Sequence, residues 1–270
     1  MNYGKGMYTL INKGQYHVGL SKASVHEISS SKVFLESGLQ ESFLLASVPG
    51  HTVNVDNVYV SDKLVTVQDY ELFIEKSGYV TEAETDGWGW TWDNGWKKEK
   101  NISWINPTGT QLDEFYQKQK EFFPVMQVSN NDAVSYCEWY SRERGKKILL
   151  PDEKELEIFA GMKAVKKIHA DQSVPVDEQS LENYFKKIWE FISHLENFSP
   201  VGMLWEWTDS WYTSYPGGEG NKEFGNVYKV LKGGSFFCNA VQRMPQYRFR
   251  RCPTARSPFY GFRFAIRNNG

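Results

Sequence analysis

The segment from Val230 to Ile266 constrains this chain more than any other. It opens on V-L-K-G-G-S-F-F-C, passes through the cationic and aromatic stretch Y-R-F-R-R-C-P-T-A-R-S, and closes on G-F-R-F-A-I. Two short alternating apolar runs bracket it, Tyr228 with Val230 and Phe262, Phe264 with Ile266. Alternation at period two marks half-buried strands, so the pattern predicts a terminal strand pair carrying a long loop, dense in Arg and aromatics. Gly233 and Gly234 stand where the backbone must bend tightly or approach a neighbour closely, and Gly261 does the same before the return strand.

A chain of 270 residues makes one large domain or two small ones at ~100–200 residues per domain. The division expected here is an N-terminal extension over residues 1–50 that packs on the core, then one domain over 51–270 with a helical insertion near 162–198. A net charge of -2 gives no electrostatic case for nucleic acid or an anionic membrane. No apolar run reaches the ~18 residues of a membrane span and Met1 to Leu20 lacks an apolar core, so neither anchor nor signal peptide is expected and the cytoplasm is the default. Three cysteines, an odd number in a large chain, argue against a disulfide scaffold. Ten tryptophans predict a loop-rich fold whose irregular segments are pinned by large side chains.

Along the chain, Tyr3 to Leu20 reads as one or two short strands, and His51 to Ser61 as a strand broken by a phase slip at Asn57. A helix is predicted over Thr66 to Ser77, stopped by Gly78. Tyr79 to Gly109 reads as an irregular tryptophan-rich segment, either an aromatic wall for a ligand or indoles packing a long loop onto the core. Asn130 or Asn131 is the expected cap of a helix ending at Gly145, with Cys137 as a small core residue. Pro151 sets the start of another helix, in which Asp152 and Glu155 match the capping-box offset and the carboxylates form a charged first turn. Leu181, Tyr184, Phe185, Ile188, Trp189, Ile192 and Leu195 fall at helical spacing. The five histidines, His17, His26, His51, His169 and His194, are scattered and make no metal-ligand motif.

Five blocks in order carry a resemblance: F-P-V-M-Q-V-S-N-N-D-A-V-S-Y-C-E-W, L-P-D-E-K-E-L-E-I-F-A, W-E-W-T-D-S-W-Y, K-G-G-S-F-F-C and G-F-R-F-A-I. With G-Y-V-T-E-A-E-T-D-G-W-G-W ahead of them, the chain from about His51 to Asn268 resembles the formylglycine-generating enzyme family, also called sulfatase-modifying factors. The resemblance implies an α+β, C-type-lectin-like fold, loop-rich, with small antiparallel sheets, two to four helices, and both termini joined in one small sheet. It also implies a ligand cleft formed by the C-terminal loop. Active members hold copper(I) on a pair of loop cysteines and use oxygen to convert a substrate cysteine to formylglycine; other relatives use iron or another arrangement, or are binding domains.

On the family pattern, Ser235 and Cys238 take the positions of the G-G-S-x-x-C serine and the first copper cysteine. The second cysteine falls on Arg243, or on Gln246 if Tyr247 to Arg250 is matched to the family's Y-R-Y-R. Neither alignment supplies a thiol, and a guanidinium or a neutral amide does not suit a soft ion. The asparagine- and glycine-rich calcium loops are replaced by the helical insertion, so although Glu206 remains, an intact calcium site is not expected.

The site expected from this pattern has Cys238 and Ser235 as catalytic residues, with Cys238 as the metal ligand for copper or iron. Around them Arg243, Gln246, Tyr247, Arg248, Arg250, Arg256, Trp205 and Trp207 are expected to bind a peptide or small anionic ligand, since guanidinium forks suit carboxylate and phosphate. Three functions fit: an oxidoreductase with altered metal chemistry acting on a thiol or peptide, a binding module without catalysis, and an interaction protein whose insertion packs on a protein partner.

Overall fold

The computed structural model of the chain describes residues 7–163, 179–194, 199 and 201–267. Tyr3 to Gly6, His169, Leu195, Pro200, Asn268 and much of the 162–198 insertion lie outside these residues.

Strands near both ends of the chain share one antiparallel sheet. Tyr8–Ile11 (β1) pairs with Val58–Ser61 (β4), β4 with Ala265–Arg267 (β12), and β12 with Lys147–Leu149 (β7). The phase slip at Asn57 separates β4 from His51–Val55 (β3), which pairs instead with Gly14–Val18 (β2). A second sheet has the order β10-β9-β8-β11, with Phe249–Arg251 (β10), Lys229–Lys232 (β9), Trp205–Trp211 (β8) and Tyr260–Gly261 (β11). The expected terminal strand pair is therefore corrected: β9 pairs with β8 and β10, while β12 belongs to the other sheet. Nor is everything between them loop, because β10 and β11 interrupt it.

Among the described residues four helices reach ten residues or more: Val67–Ser77 (α4), Asn130–Arg144 (α7), Glu153–Met162 (α8) and Leu181–Ile192 (α9). Their ends follow local chemistry. Thr66 caps α4 in a reciprocal box with Asp69, and Gly78 ends it at φ 67°, the left-handed region where a Cβ would be strained. Ser129, not an asparagine, caps α7 in a box with Asp132. Asn130 instead donates its side-chain amide to the Thr208 carbonyl at 2.9 Å and ties the helix to β8. Asp152 and Glu155 make the box of α8, with Pro151 just ahead of the cap. Its carboxylates are not a solvated turn: Glu153, Glu155 and Glu157 are buried, and each holds a cation from a distant segment.

The apolar face predicted for α9 is covered within this chain, since Leu181, Tyr184, Phe185, Ile188 and Ile192 are buried in the main core. Leu20, Val25, Phe34 and Leu44, from the first fifty residues, are part of the same cluster as Phe73, Trp207 and Phe262. Cys137 is also there. Shorter helices fill the connections: Lys22–Ser29 (α1), Lys32–Glu36 (α2), Ser42–Leu45 (α3), Glu82–Asp86 (α5) and Leu112–Lys118 (α6). The tryptophan-rich segment is more regular than expected: it forms an antiparallel hairpin of Trp88–Trp92 (β5) and Trp96–Lys100 (β6).

Candidate functional site

Two glycines set the shape of the cysteine loop. Leaving β9, Gly233 and Gly234 adopt φ 97° and 77°, a region open to glycine and strained for other residues. A Cβ on Gly234 would stand 2.4 Å from Arg243 Cγ, so the turn folds the start of the loop directly onto its later part. Cys238 closes a tight turn by donating its backbone N–H to the Ser235 carbonyl at 2.9 Å, and the Ser235 hydroxyl lies 3.4 Å from its Sγ. Only 7% of Cys238 is exposed. Burial pushes its thiol pKa up, against the opposing pull of Ser235, the Arg243 guanidinium and the Trp205 indole. Trp205 stacks on Phe249 at 4.5 Å and lies 6.0 Å from the Tyr247 ring. Burial likewise raises the Tyr247 hydroxyl, which also feels Cys238. Ser235, Cys238, Arg243, Trp205 and Tyr247 thus come together as one cluster.

The remaining predicted residues do not join it. A guanidinium removed from water needs a carboxylate, and each of the other arginines finds one on a different element. Arg248 makes a bidentate pair with Glu153, at 2.6 and 2.9 Å, donates to the carbonyls of Ala46 and Thr213, and lies over the Tyr215 ring. Arg250 pairs with Glu223 between the rings of Phe43 and Tyr212. Arg256 pairs with Asp86 at 2.6 Å over the Trp88 ring. Gln246 uses its carbonyl to accept from the Ser47 hydroxyl, and Trp207 is fully buried with its indole N–H on the Val128 carbonyl. Arg263, which the sequence reading passes over, takes both oxygens of Glu206 at 2.5 and 2.9 Å. Glu206 therefore already serves a buried cation.

An open groove lies where the tryptophan hairpin meets the C-terminal loop. Trp90, Trp96, Arg251, Ala255, Arg256, Ser257 and Tyr260 line about 300 Å³. Gln127 ties its two sides together from beneath. Its side-chain amide donates to the carbonyls of Trp90 and Pro107, at 2.6 and 2.9 Å, and its backbone N–H donates to the Ser257 carbonyl. Gln127 holds φ at 58° to do so. The indoles divide: Trp104 is buried and packs the core, whereas Trp90 and Trp96 are 38% and 47% exposed. The groove residues missed from sequence had a signal in W-G-W-T-W, whose period-two alternation puts Gly89 and Thr91 inward and all three tryptophans on the other face.

The copper site implied by the resemblance needs two thiolates. Cys238 supplies one sulfur, Arg243 and Gln246 supply none, and Cys252 is exposed beyond β10. Among the described residues no group of three or more His, Cys, Asp or Glu converges as a metal site. The donor set does not fit two-thiolate copper(I), and iron, which draws on imidazole and carboxylate, finds no such set among the described residues either.

The loop-rich α+β architecture, its first and last strands in one sheet and its cysteine loop turned by paired glycines, defines a fold of the formylglycine-generating type. The sulfatase-modifying factor enzyme 1-like domain matches residues 6–268, and the chain belongs to that family. It is similar to the formylglycine-generating enzyme of Mus musculus, 26% identical over 269 residues that cover 80% of this chain and 68% of that protein. It is also similar to inactive C-alpha-formylglycine-generating enzyme 2 of Bos taurus, 26% identical over 181 residues, 55% of this chain and 58% of that protein. Among solved structures, PvdO from Pseudomonas aeruginosa shares the fold with a TM-score of 0.60 at 14% identity, covering 96% of this chain and 93% of that one. No helix among the described residues is long and apolar enough to cross a membrane.

Proposed function

We propose that this chain is a ligand-binding member of the formylglycine-generating family, taking a peptide or small anionic ligand at the groove between the tryptophan hairpin and the C-terminal loop. The observation that carries the reading is Arg243, a cation packed into the cysteine cluster at the position that takes the second sulfur in one of the two registers of the family pattern, the other register giving Gln246, which is no thiol either. One buried thiol whose pKa is raised offers a single soft donor, and a protonated one at neutral pH. The oxidoreductase reading, with Cys238 and Ser235 in catalytic roles and copper or iron bound, needs ligands that neither Arg243 nor Gln246 provides. A relative whose name describes it as inactive is in keeping with a family that also holds non-catalytic members.

Competition for copper(I) against a chromophoric chelator tests this. The wild-type chain is expected to surrender the ion completely, while R243C or Q246C, by restoring a sulfur in one or the other register, retains it. Retention of one equivalent by the wild-type chain, abolished by C238A, would return the protein to the metal-dependent oxidoreductases.

A further inference from the structure

We propose that the groove recognises a carboxylate carried next to a flat apolar group, such as a C-terminal aromatic residue or an acidic residue beside an aromatic one in a peptide. This deepens the ligand-binding reading above and rests on it. Three features of the groove converge on that chemistry.

The first is apolar surface with a defined geometry. Trp90 and Trp96 meet edge to face at 6.4 Å, and Trp96 is braced from behind by Phe259 at 5.4 Å. Both indoles remain exposed. Two braced, partly wet rings gain by covering each other's open faces with a third planar group, which isolated surface aromatics do not.

The second is charge. Among the described lining residues there is no carboxylate and there are two guanidiniums. Asp86 neutralises Arg256. Arg251 has no ion-pair partner among the described residues; its Cζ lies 4.1 Å from the centroid of the Phe249 ring, it donates one N–H to the Arg250 carbonyl at 2.9 Å, and its side chain also hydrogen-bonds the Tyr260 hydroxyl. These contacts position the guanidinium, and the N–H groups left after the Arg250 and Tyr260 bonds suit the two oxygens of a carboxylate. One net positive charge matches a monoanion; a phosphate dianion would leave a charge unmatched.

The third is size. A volume of about 300 Å³ stands at the small end of ligand pockets, which run ~300–1,000 Å³. That is room for one ring and its acid group, with the rest of a peptide outside.

The full chain would be titrated with phenylacetate, phenylacetamide, acetate, phenethylamine and phenyl phosphate. The readout is the tryptophan indole N–H signals in a proton–nitrogen correlation spectrum, assigned through W90F and W96F. The expected result is that phenylacetate shifts the Trp90 and Trp96 signals, and that phenylacetamide and acetate bind at least about tenfold more weakly. R251Q is expected to erase the preference for acid over amide while the indoles still respond to the ring, and R251K to keep part of it; unchanged melting temperatures would show that both variants fold. Equal affinity for acid and amide, tighter binding of the amine or the phosphate, or no indole response to any probe would overturn the assignment. A groove that prefers the amide or the amine would leave the ligand-binding reading standing, whereas copper(I) retention by the wild-type chain would remove that reading whatever the groove binds.

Discussion

Arg248 and Glu153 meet as a bidentate ion pair, ninety-five positions apart in sequence, with Nε on Oε2 at 2.6 Å and Nη2 on Oε1 at 2.9 Å. The Tyr215 hydroxyl adds a third hydrogen bond to the same carboxylate, at 3.3 Å. The guanidinium is wholly out of water, so the pair fastens β10 and the residues before it to α8 rather than to any ligand.

Breaking that pair from one side leaves an uncompensated buried charge. R248M and E153Q are each expected to cost ~3–5 kcal/mol. The double variant should cost clearly less than their sum. Urea unfolding of the four proteins closes the cycle; strict additivity would show that the two groups do not act on each other.

Gly234 is expected to resist even the smallest side chain. G234A sets a methyl 2.4 Å from Arg243 Cγ and 3.1 Å from the Gln242 carbonyl at φ 77°. Strain and overpacking together should cost ~2–4 kcal/mol. Urea or thermal melting would measure it, and a neutral effect would mean that the loop is not folded tightly on itself.

Cys238 and Cys252 should differ sharply as nucleophiles. Cys252 is exposed and Cys238 is buried with its pKa raised, so a thiolate-directed reagent should label Cys252 quickly and Cys238 only as the chain opens. Because burial holds the folded pKa above the ordinary thiol value of 9.0, the neutral thiol contributes stability that is fully present below pH 9.0 and lost as pH rises through the folded value. The stability of the wild type relative to C238A should therefore fall on the alkaline side, and be flat below it. Mass-resolved alkylation and unfolding at a series of pH values give both readings.

Gln127 should act on the groove from underneath. Q127A removes two hydrogen bonds to carbonyls that its amide satisfies, at ~1–3 kcal/mol. Q127G removes the same bonds but relieves a φ of 58°, which for a residue with a Cβ costs roughly 1–2 kcal/mol. Glycine is thus expected to be the milder change in thermal melting, and both variants should broaden the Trp90 indole signal.

Much of the architecture was legible because it is written in local chemistry. The Gly78 stop of α4, the α8 box, the glycine stop of α7 and the Gly233–Gly234 turn each depend on residues a few positions apart. The α7 cap was misread because Ser129, Asn130 and Asn131 are all good caps in isolation; only the reach of Asn130 to Thr208 separates them. The arginines show the limit more plainly. Nothing near Arg248, Arg250 or Arg256 in sequence announces that Glu153, Glu223 and Asp86 will meet them, so a row of cations within ten residues looked like a binding site. Arg251, beside them in the same run, is distinguished only by lacking such a partner among the described residues. Ser235, Cys238 and Arg243 lie together because one short loop carries all three.

The placement of β12 between β4 and β7 has a consequence for how the protein is made. Until residues 265–267 have left the ribosome, β4 and β7 each present a row of unmet backbone donors and acceptors, the kind of border that recruits strands from other molecules. Closure waits on pairings about two hundred residues apart for β4, where Ala265 meets Val60, and such distant partners are slow to meet. Synthesis and chaperone protection should therefore matter more to the yield of this protein than the modest size of its sheets suggests.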